Sequence, residues 1–205
     1  MYGKIGLDFD CVICDLHKGI NDYIRNKFNL YLDLEEGYPC LEIEKNHYFS
    51  REVSSHLLEV MHTEALLKVS EPCRNAKGSL LKLRSFFSEI IIITSRYDYE
   101  KEIVEAWLDE HGIVCDSIYY TSSSDKDKVE IIKETGVSVF VDDSQDAINS
   151  ILHSGIELEY GTYLVTKPWN KFFHNLGVLR VLDLREVAQY IKLYSESKRY
   201  FKKGE

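Results

Sequence analysis

The sequence predicts an α/β fold: a Rossmann-like parallel sheet with helices on both faces, and an inserted all-helical cap. From Pro72 onward, strand-like and helix-like segments alternate along the chain. The strand-like segments are continuous apolar runs such as Ile90 to Ile93, which is typical of strands buried on both faces of a sheet. Two of these segments end in carboxylate pairs, and ligands of such sheets bind beyond the carboxyl ends of the strands.

The first predicted strand covers Lys4 to Phe9 and is followed by a long segment without a strand-like run. Apolar residues recur at helical spacing in two parts of that segment, which indicates amphipathic helices. Pro72 marks its end. We therefore predict that residues 16–72 form a helical cap, inserted into a catalytic core made of residues 1–15 and 73–205.

Helices and strands are predicted to alternate after Pro72. In order, they are a helix around Leu80 to Phe87, a strand Glu89 to Thr94, a helix Glu100 to His111, a strand Val114 to Tyr120, a helix Lys128 to Thr135, a strand Val137 to Val141, a short helix Ala147 to His153, strands Glu157 to Val165 and Val178 to Leu182, and a C-terminal amphipathic helix. Gly112 and Gly136 directly follow two of these helices, where glycine commonly ends a helix.

The composition disfavours several classes of partner. The net charge is −9, whereas polynucleotides and acidic membranes are bound by basic surfaces, so we expect neither as a partner. No apolar stretch approaches the length of a transmembrane helix, and no leader-like segment precedes the first strand. The five cysteines are an odd number without a disulfide-like spacing, so we expect a cytoplasmic protein with reduced thiols. The oligomeric state is not indicated.

Three potential zinc ligands, Cys11, Cys14 and His17, lie close to the first predicted strand. Structural zinc sites use four protein ligands, and no second Cys/His pair follows at finger-like spacing. The alternative, which we favour, is that the cysteines are small apolar packing residues.

Two pairs of aspartates, Asp8 with Asp10 and Asp142 with Asp143, stand at the ends of predicted strands. Burying carboxylates without partners costs several kcal/mol, so two such pairs indicate a shared cation. Mg²⁺ is a suitable cation because it prefers oxygen ligands and takes only a few from protein. If the first, second and fourth strands are neighbours, Thr94 joins these aspartates at one edge of the sheet.

These residue types suit phosphoryl transfer. A strand-end carboxylate such as Asp8 can attack phosphorus and form an aspartyl-phosphate intermediate. Asp10 is two residues further on and so lies on the same side of an extended strand, where it can protonate the leaving oxygen and later deprotonate water. The hydroxyl group of Thr94 and an ammonium group from Lys126 or Lys128 would bind the phosphoryl oxygens.

The chain resembles the haloacid-dehalogenase (HAD) superfamily of phosphatases. Its four motifs are matched, in order, by Asp8-Phe9-Asp10-Cys11-Val12, Thr94, Lys128 and Asp142-Asp143. The resemblance covers residues 1–15 and 73–170, and the helical insertion is similar to the family's first type of cap. Within the superfamily, the chain most resembles the 5′(3′)-deoxyribonucleotidases and related bacterial or phage nucleotidases. In that group a Pro-aromatic-Asn phrase similar to Thr166-Lys167-Pro168-Trp169-Asn170 follows the fifth strand.

The resemblance implies a role for each aspartate. Asp8 would be the nucleophile and a Mg²⁺ ligand. Asp10 would be the acid/base and would bind Mg²⁺ through its backbone carbonyl. Asp143 would be a direct ligand, and Asp142 would act directly or through water.

The resemblance also implies a phosphate-binding set made of Thr94, Ser95 and a lysine. Both Lys126 and Lys128 are candidates, and the position of Lys128 at the start of a helix favours Lys128. Cys11 departs from the family pattern because it stands where a glycine is usual.

The predicted function is that of a magnesium-dependent phosphomonoesterase acting on a nucleotide monophosphate through an aspartyl-phosphate on Asp8. The expected partner is therefore a small phosphate ester. One alternative keeps the chemistry and changes the substrate to a sugar phosphate, a phospho-amino acid or a nucleic-acid 3′-phosphate end. Dehalogenation is a further alternative, against which Asp10 argues. A non-catalytic phosphate- or partner-binding module is the last.

Other candidate residues have two interpretations each. Aromatic residues of the insertion could stack on a base or form a helical core; they are Tyr23, Tyr31, Tyr38, Tyr48 and Phe49. Arg96 could bind phosphate or cap the following helix. The histidines of the insertion are expected to be surface or packing residues; they are His47, His56 and His62.

Overall fold

A computed structural model describes residues 2–31 and 49–202. These residues form a six-stranded sheet in which every neighbouring pair of strands is parallel. The strands are β1 (Lys4–Leu7), β2 (Glu89–Thr94), β3 (Ser117–Tyr120), β4 (Val137–Asp142), β5 (Thr162–Val165) and β6 (Val178–Val181). Their order across the sheet is β3-β2-β1-β4-β5-β6, so β1 lies between β2 and β4.

Helices connect the strands, as parallel pairing requires. They are α1 (Leu16–Phe28), α2 (Arg51–Met61), α3 (Glu64–Leu67), α4 (Ala76–Arg84), α5 (Lys101–His111), α6 (Lys128–Thr135), α7 (Gln145–His153) and α8 (Leu184–Lys202). Short 3-10 turns cover Asp98–Glu100 and Pro168–Asn170. No helix in the described part of the chain combines the length and the apolar character that a membrane span needs.

Alternate residues of β2 pack on opposite faces of the sheet. Ile90 and Ile92 belong to the apolar cluster that includes residues of α4, α5 and α8, whereas Ile91 and Ile93 pack with residues of α6 and α7 such as Ile132. This division follows from the two-residue period of a strand. The predicted α/β fold, a parallel sheet covered on both faces, is confirmed.

Two strands begin later than predicted. The strand predicted from Glu157 begins at Thr162, because Gly161 has a φ of +88°, which lies outside the extended β region. The strand predicted from Val114 begins at Ser117. Just before it, Asp116 accepts a hydrogen bond from the backbone N–H of Ile90 (2.6 Å) and forms an ion pair with Arg84. These two contacts hold the segment before β3 as a loop.

The inserted helices α1–α3 lie between β1 and α4, and the described residues between Leu16 and Leu67 contain no strand. Their buried side chains share one apolar cluster with the first face of the sheet. Trp107 of α5 donates from Nε1 to the backbone oxygen of Ser70 (2.8 Å). Gly19 of α1 approaches the same residue so closely that a Cβ there would lie 1.9 Å from Ser70 Oγ. The inserted helices therefore pack directly on the core. That residues 16–72 act as a cap stays a prediction.

Candidate active site

The carboxyl ends of β1, β2 and β4 meet at one edge of the sheet. Leu7 is in register with Ile92 of β2 and with Val141 of β4. Asp8, the next residue, donates its backbone N–H to Val141 (2.9 Å), so it stands beside the last residue of β4, Asp142. The neighbouring positions of these three strands, on which the predicted site depended, are confirmed.

Three carboxylates and one ammonium group form the centre of the site. Oxygen atoms of Asp8, Asp142 and Asp143 lie within 4.8 Å of one another. Lys128 Nζ donates to Asp8 Oδ1 at 2.6 Å and to Asp142 Oδ2 at 2.8 Å. Lys128 is the first residue of α6, whose N-terminus is fixed by a capping box between Asp127 and Glu130.

The electrostatics of this cluster are unbalanced. Burial, together with the neighbouring carboxylates and in spite of Lys128, raises the pKa of Asp8 well above its usual value. Burial and then Asp142 raise the pKa of Asp143 to about 7. Burial alone would lower the pKa of Lys128, but Asp142 and Asp8 outweigh it and hold that pKa above its usual value. Lys128 contacts two of the three carboxylates, and Lys167, which favours the ionised form of Asp143, does not outweigh the burial of that group.

An oxygen-only donor set with excess negative charge suits a hard divalent cation. The carboxylates of Asp8, Asp142 and Asp143 would hold Mg²⁺, and its charge would allow all three to ionise together. The raised pKa values of Asp8 and Asp143 are consistent with this requirement.

The β5–β6 segment orients the fourth motif. Trp169 Nε1 donates to Asp143 Oδ2 (3.0 Å), and Asn170 Nδ2 donates to the backbone oxygens of Asp143 and Val165 (2.8 Å each). Asn170 is fully buried and is held in turn by Arg180, which donates to its Oδ1 (3.1 Å). The sequence predicted no role for the segment Thr166 to Asn170. In the structure its Trp169 and Asn170 hold Asp143 in position by hydrogen bonds.

Asp142 and Lys126 are also engaged by neighbouring groups. Besides Lys128, Asp142 accepts the backbone N–H of Ser144 at Oδ1 (2.8 Å). Lys126 pairs with Glu134 at 2.6 Å on the surface of α6. Of the two candidate lysines, the structure brings Lys128 to the carboxylates.

Thr94 and Ser95 occupy different environments. Thr94 is fully buried, and its Oγ1 accepts the backbone N–H of Arg96 (3.2 Å). Ser95 lines the cavity above the carboxylates. The cavity has a volume of about 790 Å³, within the usual range for small-molecule sites.

Asp10 is turned toward Arg96 and is not part of the carboxylate cluster. Arg96 Nε and Nη2 donate to the two oxygens of Asp10 at 2.9 Å each, and Nη1 donates to Glu100 Oε1 at 2.5 Å. Arg96 is 4% exposed and Glu100 is fully buried. Neither interpretation of Arg96, as a phosphate ligand or as a helix cap, describes this arrangement.

Sequence reasoning missed Glu100. The available signal was the i,i+4 spacing of Arg96 and Glu100 immediately after a strand end, which places opposite charges together on a helical turn.

The proposed zinc ligands do not form a metal site. Among the described residues, the group with metal-binding geometry is the carboxylate cluster. Burial raises the pKa of Cys14 well above its usual value, which disfavours the thiolate that zinc needs. The packing interpretation agrees with the burial of Cys11 and Cys14.

Cys11 has a φ of +61°, a left-handed conformation that glycine adopts without steric cost. This conformation gives a physical reason for the glycine that the family usually has at this position.

The aromatic residues of the insertion do not line the cavity where the structure describes them. Tyr23 stacks on His56, Tyr31 is 76% exposed, and Phe49 packs against the apolar core. Tyr38, Tyr48 and His47 lie outside the described residues.

Among the described residues of the inserted segment, Leu16, Met61 and His62 line the cavity. His62 was expected to be a surface or packing residue, but it lies at the cavity and its Nδ1 is 3.0 Å from Glu100 Oε2.

Comparison with known proteins agrees with this geometry, although no family model matches the chain. The chain is 24% identical over 189 residues to an Oceanobacillus iheyensis protein named "Putative nucleotidase", which covers 91% of this chain and 97% of that protein.

Two solved structures share the fold. A haloacid dehalogenase-like hydrolase from Streptococcus pneumoniae has a TM-score of 0.62 at 14% identity, covering 92% of this chain and 98% of that chain. The L-2-haloacid dehalogenase from Xanthobacter autotrophicus has a TM-score of 0.60 at 11% identity, covering 94% and 99%. The fold of this chain is therefore that of the HAD-superfamily hydrolases.

Proposed function

We propose that this chain is a Mg²⁺-dependent phosphomonoesterase that hydrolyses a nucleotide monophosphate through an aspartyl-phosphate on Asp8. The observation that carries the proposal is the cluster of Asp8, Asp142 and Asp143 around Lys128 Nζ, at the carboxyl ends of adjacent strands. Similarity to a protein named as a nucleotidase, over nearly the whole of both chains, supports the nucleotide as the substrate class.

The first half of the reaction transfers the phosphoryl group to the protein. Asp8 attacks phosphorus through Oδ2, while Oδ1 stays hydrogen-bonded to Lys128. The bond between phosphorus and the ester oxygen breaks, and Asp10 gives a proton to that oxygen. Lys128, Ser95 and the hydroxyl group of Thr94 bind the phosphoryl oxygens. A bound Mg²⁺ would supply the positive charge that lets an anionic carboxylate approach an anionic phosphate.

The second half returns Asp8 to its starting state. Asp10, now ionised, takes a proton from water as the water oxygen attacks phosphorus. The bond between phosphorus and Asp8 breaks, and inorganic phosphate leaves. Asp10 is protonated again and Asp8 is again a carboxylate, so the cycle closes without another reactant.

Dehalogenation uses the same fold, as the Xanthobacter enzyme shows, so the fold does not select the chemistry. Two features of the site favour phosphoryl transfer. A departing halide takes no proton, so Asp10 would have no acid role in dehalogenation. A neutral haloacid carbon also requires no clustered carboxylates to hold a cation, whereas a phosphate dianion does.

The rim of the cavity favours a small ester over a polynucleotide. Asp125, Asp127 and Asp146 are among its lining residues, and Lys126 there is paired with Glu134. The further phosphates of a nucleic-acid strand would be repelled by these carboxylates and by the overall charge of −9. We expect the protein to act in the cytoplasm.

A substrate panel tests the proposal. Inorganic phosphate release is measured from nucleoside 5′- and 3′-monophosphates, sugar phosphates and phospho-amino acids, with MgCl₂ and with EDTA. Chloride release from 2-chloropropionate is measured in parallel. We expect the protein to release phosphate from a nucleotide. This release should require Mg²⁺ and should be abolished by Asp8→Asn.

The matched control is Asp109→Asn, an identical change at an exposed position of α5 that should retain activity. Full activity of Asp8→Asn would refute the nucleophile assignment. Release of chloride but not phosphate by the wild-type protein would refute the proposed function.

A further inference from the structure

A chain of buried polar contacts joins Asp10 to the inserted segment. Asp10 accepts two hydrogen bonds from Arg96, Arg96 donates a third to Glu100, and Glu100 Oε2 contacts His62 Nδ1 at 3.0 Å. Oε2 also accepts the backbone N–H of Tyr97 (2.9 Å). We call Asp10, Arg96, Glu100 and His62 the Asp10–His62 chain.

The centre of this chain is strongly constrained. Arg96 is 4% exposed and Glu100 is fully buried, so neither charge is solvated by water. The guanidinium group donates three hydrogen bonds to two carboxylates and lies 5.5 Å from the centre of the Phe9 ring. A buried ion pair that loses one partner leaves the other uncompensated, so the position of Arg96 depends on Glu100.

The two ends of the chain face the same cavity. Asp10 and Arg96 line it from the core, and His62, the residue after α2, lines it from the inserted segment. The His62 side chain is one-third exposed, and its ring also packs edge-on against Tyr97 at 5.1 Å. Glu100 is fully buried and is not among the lining residues, and its carboxylate is hydrogen-bonded to Arg96, His62 and the backbone of Tyr97.

We propose that Glu100 and His62 are positioning residues that set the orientation of Asp10 through Arg96, which ties the acid/base group to the inserted segment. The inference rests on the proposed phosphatase function, because it concerns the group that protonates the leaving oxygen. Both oxygens of Asp10 are held by Arg96, so proton transfer requires one of them to leave Nε or Nη2. Glu100 controls that step by anchoring the opposite nitrogen, Nη1.

A comparison of leaving groups tests this role. A nucleoside 5′-monophosphate departs as an alkoxide and needs a proton, whereas p-nitrophenyl phosphate departs as a stabilised phenolate and does not. The ratio kcat/KM reports the steps up to departure of that group. We expect Glu100→Gln and His62→Gln to lower kcat/KM for the nucleotide at least about tenfold more than for p-nitrophenyl phosphate, because general acid catalysis contributes roughly 10² to 10⁴ in rate.

Asp10→Asn removes the acid itself, so it gives the largest difference in kcat/KM loss between the nucleotide and p-nitrophenyl phosphate that the chain variants can approach. The matched controls are Glu102→Gln and His153→Gln, which make the same changes at exposed helix positions. Equal losses on both substrates in Glu100→Gln would show a merely structural role and would overturn the proposal. An effect confined to His62→Gln would mean that His62 contacts the substrate directly, and would also overturn it.

An NMR measurement tests the chain without any turnover. In the wild-type protein the Arg96 Nε–H, bonded to Asp10, should exchange slowly with solvent. We expect Glu100→Gln and His62→Gln to speed this exchange, and Glu102→Gln to leave it unchanged. Unaltered protection in both chain variants would refute the link from His62 to Asp10. An inactive wild-type protein would refute the phosphatase function instead, and the NMR comparison would still decide whether Glu100 and His62 hold Arg96.

Discussion

Asp143→Asn should stabilise the metal-free protein at alkaline pH while removing its response to Mg²⁺. Burial and Asp142 raise the pKa of Asp143 from 3.8 to about 7. A group whose pKa is raised on folding contributes full stability below its unfolded pKa and loses it as pH rises through the folded value. In this protein the loss falls between about pH 4 and 7.

The size of the effect follows from that shift. A difference of about three pKa units corresponds to about 4 kcal/mol at most, since one unit is worth about 1.4 kcal/mol. Asparagine carries no charge, yet its side-chain oxygen can still accept the hydrogen bond from Trp169 Nε1. Asp143→Asn thus removes the repulsion and keeps the contact.

Urea unfolding at pH 5 and pH 8, in EDTA and in MgCl₂, measures these terms. In EDTA at pH 8 the variant should exceed the wild type in free energy of unfolding by up to about 4 kcal/mol, with a smaller difference at pH 5. A Mg²⁺ concentration of 100 times Kd should stabilise the wild type by about 2.7 kcal/mol and the variant by less. The matched control is Asp109→Asn, an exposed acid on α5 that does not line the cavity, which should change neither quantity.

Comparing variant and wild type at each pH cancels the titration of groups that do not interact with Asp143, whereas Asp8, whose pKa Asp143 helps to raise, contributes to the difference. If Asp143→Asn is no more stable than the wild type at pH 8 in EDTA, the carboxylate does not carry the repulsion that its burial implies. If the variant instead keeps the full response to Mg²⁺, Asp143 is not a ligand.

Two further predictions concern single buried groups. Lys128→Met should lower the free energy of unfolding in EDTA at pH 8 by about 3–5 kcal/mol, because Asp8 and Asp142 lose their shared partner. Urea unfolding measures this loss, and the surface control Lys126→Met should show little change. Burial lowers the pKa of His17 to about 4 against 6.5 unfolded, so the protein should lose about 2 kcal/mol between pH 7 and 5, and His17→Gln should abolish that loss in the same assay. An unchanged pH dependence in the His17 variant would contradict the latter prediction.

The core of the fold was readable from local patterns. Continuous apolar runs marked the buried strands, and Gly112 and Gly136, which end α5 and α6 in left-handed conformation, were visible as helix ends. The late start of β5 was not readable, because Glu157 to Tyr160 alternates polar and apolar residues as a strand does, whereas the turn that replaces the strand is fixed by backbone contacts with β4.

The choice between Lys126 and Lys128 shows what local patterns leave open. The two lysines stand two positions apart at the end of the same polar loop. Lys126 pairs with Glu134 on the surface, whereas Lys128, the first residue of α6, contacts Asp8, 120 residues away. Only the docking of α6 against the sheet decides which lysine faces the carboxylates.

By itself the sequence determined the approximate positions of the strands and the residue types at their carboxyl ends, because these depend on neighbours along the chain. The tertiary structure decided the partners: Lys128 for Asp8, Trp169 for Asp143, and Arg96 with Glu100 and His62 for Asp10. These pairs join residues far apart in sequence, and the raised pKa values of Asp8 and Asp143 come chiefly from burial. The packing of distant segments creates both the residue pairs and the pKa shifts, so no single segment of the sequence contains the information for them.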